Sequence, residues 1–119
     1  MKDNIVKQKS FAFAIRIVKL YQYLCEQRRE FVLSRQLLRS GTSVGAMIRE
    51  AEHAEIKADF KHKMAVAQKE MNETLYWIEL LKETEYLSKD QFDSINTDAT
   101  EIMKLLTAII RTTKSNINN

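Results

Sequence analysis

The sequence contains no proline and only two glycines, Gly41 and Gly45, in 119 residues. Proline breaks helix interiors, and sheet folds place both residues at their turns. Their scarcity excludes a turn-rich β fold and predicts long helices joined by short connections. Cysteine is almost absent too. Cys25 stands alone, so no internal disulfide forms. Its simplest reading is a small apolar core residue, since no basic neighbour in the sequence would activate a thiolate. Long apolar runs are also missing, and no stretch suffices to span a membrane. Near the N-terminus, Lys7 and Lys9 precede Phe11-Ala12-Phe13-Ala14-Ile15 in the manner of a secretory leader, but Arg16 and Lys19 interrupt the run. The segment reads as an amphipathic helix, and the expected location is the cytoplasm.

What is present is helical periodicity. Four patterns run from about Ile5 to Arg28, Ser34 to His53, Lys57 to Glu85 and Lys89 to Ser115. In the first, Phe11, Ala14, Val18, Tyr21 and Cys25 alternate three and four apart. Phe13, Ile17, Leu20 and Leu24 form a second stripe beside them, giving a wide apolar face. In the second, Leu37, Gly41, Val44, Ile48 and Ala51 share one face. Each glycine costs a helix about 1 kcal/mol relative to alanine. Gly41 and Gly45 are nevertheless one turn apart, which predicts continuous helix closely approached by a neighbour. The third pattern carries Phe60, Met64, Ala67, Met71, Thr74, Ile78 and Leu81. The fourth opens on Ser88 and Gln91, spaced as a capping box. It then holds a heptad rhythm through Phe92, Ile95, Ala99, Ile102, Leu106 and Ile109. Heptad spacing with short connections predicts a single all-α domain over 1–119, an antiparallel up-down-up-down four-helix bundle.

The net charge of +3 is unevenly distributed. Residues 1–69 carry 14 Lys/Arg against 7 Asp/Glu, and residues 70–119 carry 5 against 9. In an up-down bundle one end gathers Lys2, Lys7, Lys9, Arg49, Lys57, Lys61, Lys63, Arg111 and Lys114, diluted by Asp3, Glu50, Glu52, Glu55 and Asp59. The opposite end mixes Arg28, Arg29, Arg35 and Arg39 with Glu83, Glu85, Asp90 and Asp93. A basic end suits nucleic-acid phosphates, with binding that weakens as salt rises. The same residues also suit an ordinary solvated surface, or the pairing of basic and acidic faces of neighbouring copies.

Candidates for chemistry are few. Glu50 with His53, and Asp59 with His62, have the spacing of bundle metal ligands. However, Ala51 and Phe60 occupy the core register, so these four groups should point outward, and no metal or cofactor is expected. Ser40, Thr42 and Ser43 have no histidine–acid partner in any visible pattern. No phosphate-binding glycine loop exists. No catalytic residue is assigned, and the protein is expected not to be an enzyme.

One run is more specific. Gln36-Leu37-Leu38-Arg39-Ser40-Gly41-Thr42-Ser43-Val44-Gly45-Ala46, then Glu50-Ala51, resembles the signature of the bacterial four-helix bundle proteins named after the 23S rRNA intervening sequence. Asp59-Phe60, Lys63, Lys69-Glu70 and Glu73-Thr74-Leu75-Tyr76-Trp77 continue the likeness. Met47-Ile48-Arg49 depart from the Asn-Ile and acidic residue usual before Glu-Ala in that family. The family is similar in fold to accessory proteins of diversity-generating retroelements, pentameric rings that bind nucleic acid and a reverse transcriptase. The resemblance therefore implies a homo-oligomer, five subunits by analogy, with RNA or DNA and a protein such as a reverse transcriptase as partners. It also implies a structural motif of Arg39, Ser40, Gly41, Ser43, Gly45, Glu50 and Glu70. Within it the small residues make a helix contact, and Arg39 and Glu70 are structural charges, paired within or between subunits. The expected function is that of a non-enzymatic accessory or nucleic-acid-binding module. The competing expectation is a protein-binding scaffold with no nucleic-acid role.

Overall fold

A computed structural model describes the backbone of residues 2–118 and the side chains of residues 4–113. Among the described residues the chain forms four helices, α1 (Lys2–Gln27), α2 (Leu33–Glu52), α3 (Lys57–Glu83) and α4 (Lys89–Asn118). They pack in ring order, α1 on α2, α2 on α3, α3 on α4 and α4 back on α1, and the diagonal pairs make no close backbone approach. The result is an antiparallel bundle of 50 × 22 × 20 Å with four lateral faces.

The core consists largely of the predicted stripes. Leu37, Val44, Ile48 and Ala51 of α2 are buried, as are Met64, Ala67, Met71, Thr74, Ile78 and Leu81 of α3. In α4 the heptad residues Ile95, Ala99, Ile102, Leu106 and Ile109 are buried. Helix α2 runs unbroken through both glycines, and α1 presses against them. A Cβ on Gly41 would stand 2.9 Å from Ile17 side-chain carbons, and one on Gly45 would stand 3.4 Å from the Ser10 carbonyl oxygen.

In α1 the wide apolar face is not borne out. Phe13, Ile17 and Leu24 are buried, but Phe11 and Val18 of the other stripe are exposed. The close approach of α2 explains this. It turns Ser10, Phe13, Ile17 and Leu24 into the interior and leaves the adjacent stripe on the rim of the α1–α2 seam. Cys25 lies on that rim as well, half-exposed, with its Sγ 3.7 Å from Ser34 Oγ. It is not the core residue the sequence suggested.

The helix ends use little glycine chemistry. Arg29 and Glu85 take left-handed backbone angles, φ 56° and 69°, at positions where glycine is usual. After α3 the Tyr86 N–H returns to the Leu81 carbonyl at 2.9 Å, and the Glu85 N–H returns to that of Lys82 at 3.0 Å. The start of α2 is capped from outside the helix. The nearly buried Glu30 carboxylate accepts N–H bonds from Val32, Leu33 and Ser34 at 3.3, 3.1 and 2.7 Å. Three otherwise unpaired donors are thereby satisfied, and a negative charge sits at the positive end of the helix dipole. The predicted capping box of α4 forms, with reciprocal bonds between Ser88 and Gln91 at 2.9 and 3.1 Å.

Candidate functional site

The signature residues form a clasp between α2 and α3. Arg39 donates to Glu70 at 3.0 Å and to Glu73, whose carboxylate also accepts the Trp77 indole N–H at 3.3 Å. Burial works to lower the Arg39 pKa, but Glu70 and Glu73 outweigh it and hold the guanidinium above its ordinary value. Beneath this pair, the buried Thr74 hydroxyl meets Ser40 Oγ at 2.9 Å. Two to three turns away, Lys63 pairs with Glu50 at 3.1 Å. Arg39 and Glu70 are thus paired within one chain. The sequence named both but did not assign Glu73, Thr74 and Trp77 to the same clasp, although their i+3, i+4 and i+7 spacing from Glu70 put them near it.

The hydroxyls of the motif have structural partners. Thr42 and Ser43 donate to the carbonyls of Leu38 and Arg39 at 2.7 and 2.6 Å. Glu50, His53, Asp59 and His62 are all exposed, in the outward register expected of them. Among the described residues no three His, Cys, Asp or Glu side chains are grouped to hold a metal ion.

The structure divides the basic set. Lys7 pairs with Glu52 at 3.1 Å, Lys9 with Glu101 at 3.0 Å, and Lys63 with Glu50. Arg49 lies over the Phe11 ring, 4.9 Å from its centroid. Among the described residues Lys57, Lys61 and Arg111 have no ion-pair partner and face solvent at least in part. Lys114 lies outside the described side chains. At the opposite end Arg28 donates to the carbonyls of Tyr86 and Glu85 at 2.8 and 3.1 Å, tying the two helix connections together. Arg29 stacks on the exposed Phe31, with exposed Val32 beside it. The apolar pair Phe31-Val32 inside a helix connection was the signal for this feature.

An exposed apolar stripe belongs to α1. Phe11, Ile15 and Val18 are 52%, 44% and 38% exposed. Beside them runs a groove of about 280 Å³ whose floor is Ala14, Thr42, Gly45 and Ala46, with Phe11 and Arg49 as walls. Farther along the seam, Arg35 lies close enough to Tyr21 to act on its phenol. A hydrogen bond to Cys25 raises the Tyr21 pKa while the Arg35 charge opposes the rise. The groove itself is mainly apolar with Arg49 at one end, and Arg35 lies farther along the seam. Among the described residues no helix is long and apolar enough to cross a membrane.

The profile of the 23S rRNA-intervening sequence protein family matches residues 2–108. A crystal structure of a protein of unknown function, from the S23 ribosomal protein family of Bacteroides thetaiotaomicron VPI-5482, superposes with a TM-score of 0.92 at 59% identity. The match covers 93% of this chain and 99% of that one. Among curated proteins there is no match. The profile match over nearly the whole chain, together with this structural likeness, places the protein in the 23S rRNA-intervening sequence protein family.

Proposed function

We propose that this protein is a non-enzymatic module that assembles with copies of itself and binds nucleic acid through the cations its assembly brings together. The observation that carries the reading is the exposed α1 stripe. A helix that buries one apolar stripe and leaves a second exposed, over a groove floored by small residues, has the surface of a subunit contact. A ring of five subunits is the assembly the family resemblance suggests. Lys57, Lys61 and Arg111, repeated in each copy, supply the phosphate contacts. Repetition matters because a few cations per chain bind weakly, whereas linked copies gain avidity.

A gel-shift titration against single-stranded RNA and duplex DNA tests the nucleic-acid part. Binding should strengthen as salt falls, and Lys57→Glu combined with Lys61→Glu should reduce it at least tenfold. No binding at low salt, or binding indifferent to salt, contradicts the phosphate mechanism. A second reading is a protein-binding scaffold with no nucleic-acid role. It is favoured by the ion pairs that neutralise Lys7, Lys9 and Lys63.

A further inference from the structure

The end of the bundle away from Lys57 and Lys61 carries the α1–α2 and α3–α4 connections side by side, tied together by Arg28 on the Tyr86 and Glu85 carbonyls. Each connection reverses through the second residue after its helix, held in left-handed backbone angles. Glycine would make either reversal without strain. The residues present are Arg29 and Glu85, of opposite charge at corresponding positions. Both are exposed, and among the described residues neither side chain has an ion-pair partner. A charge set at a strained position with no partner in its own chain points to a role outside that chain.

The surface around Arg29 is apolar and rigid. Arg29 lies over the Phe31 ring, 5.5 Å from its centroid, and Phe31 and Val32 are 46% and 71% exposed. The Glu30 carboxylate holds the backbone of this tip from below, and the Glu30 carbonyl accepts the Ser34 hydroxyl at 2.8 Å. The tip is therefore ordered before anything binds it, which lowers the entropy lost on contact. The end as a whole is divided by charge. One connection offers Arg29 with the apolar pair, and the other offers Glu83 and Glu85. A nucleic acid or an anionic membrane would meet those carboxylates beside the arginine. The same end of a second copy, turned by half a turn, presents the opposite sign at each place.

We infer that this end docks on the same end of a second copy about a two-fold axis perpendicular to the helices, Arg29 of each against Glu85 of the other, with Phe31 and Val32 covered between them. The contact is isologous, so each charge pair occurs twice. Setting like connections together would oppose Arg29 to Arg29 and Glu85 to Glu85, which the crossed arrangement avoids. The bundle is only 22 × 20 Å in cross-section. That makes the contact smaller than the roughly 800 Å² per partner of a stable pair, so it is weak and depends on its charges. It is separate from the lateral self-association proposed above and doubles whatever unit the sides form.

Sedimentation velocity in low salt, where exposed charges are least screened, tests the contact. Val32→Glu spoils the apolar tip at an exposed position, and circular dichroism should find it folded. At the same high concentration the wild-type chain should show a species of twice the Val32→Glu mass, and physiological salt should abolish the doubling. Arg29→Glu and Glu85→Arg each place two like-charge pairs in the contact and should each weaken doubling at least tenfold. Carried together in one chain they exchange the signs and should restore most of it. Glu85→Gly relaxes the backbone and should still weaken doubling, which separates the contact from a role in the fold. A wild type with the mass of Val32→Glu at every concentration overturns the contact and leaves lateral self-association standing. Doubling that survives both single charge reversals, or that the double reversal fails to restore, overturns it as well.

Discussion

At the scale of single residues, the two glycines behave differently despite lying one turn apart. Gly41 faces Ile17, a β-branched, buried side chain with little room to turn, and an added methyl would lie at 2.9 Å. Gly41→Ala gains up to about 1 kcal/mol of helix propensity but overpacks a tight contact at about 1–3 kcal/mol. A net loss of roughly 1–2 kcal/mol is expected in urea unfolding at fixed protein concentration. At Gly45 the added methyl meets only an ordinary contact at 3.4 Å, so Gly45→Ala should be neutral or stabilising by up to about 1 kcal/mol. Equal effects at the two sites would contradict this account of the α1–α2 seam. Glu85 provides the converse case, a side chain in a left-handed conformation that favours glycine. Glu85→Gly should relieve about 1 kcal/mol of backbone crowding, part of which the freer unfolded chain offsets. A small rise in thermal midpoint is expected, and a fall would give the Glu85 side chain a role of its own.

At the scale of elements, the α2–α3 clasp joins the residues that carry the family resemblance. Its arginine, carboxylates and hydroxyls bond one another inside a single chain and so fix the pairing of two helices. Arg39 is about half exposed, which limits its ion pairs to the modest value of surface bridges, about 0.5–1 kcal/mol. Arg39→Ala should lower stability by about that much, read by thermal unfolding, and leave the assembled mass unchanged. Loss of assembly without loss of stability would mean the arginine acts between subunits. The core positions and helix spans of α2, α3 and α4 were legible because a buried face repeats at the helical period and nothing interrupts it. The outward stripe of α1 was not, because an apolar stripe repeats at the helical period whether or not a bundle neighbour covers it. Helix ends were hard to place at Gln27 and Glu83 because Arg29 and Glu85, not glycine, make the reversals. The charge partners of Lys7 and Lys9 depended on which helices are neighbours, and periodicity within one helix carries no such information.

At the scale of the whole molecule, the bundle is two-sided. Along α1 and α2 runs an apolar groove walled by Phe11 and Arg49, and along α3 the exposed Tyr76 stands in a stripe with Lys69, Glu79 and Glu83. The exposed α1 stripe runs along the bundle side whereas Lys57 and Lys61 lie at the start of α3, so variants at the two places should separate the proposed assembly from the proposed nucleic-acid binding. The most direct measurement is sedimentation equilibrium of the purified wild-type chain at physiological salt across its accessible concentration range. The expected result is one discrete species of several chains, five on the family resemblance, with no monomer at the higher concentrations. A chain that stays monomeric throughout contradicts the claim that the exposed α1 stripe is a subunit contact.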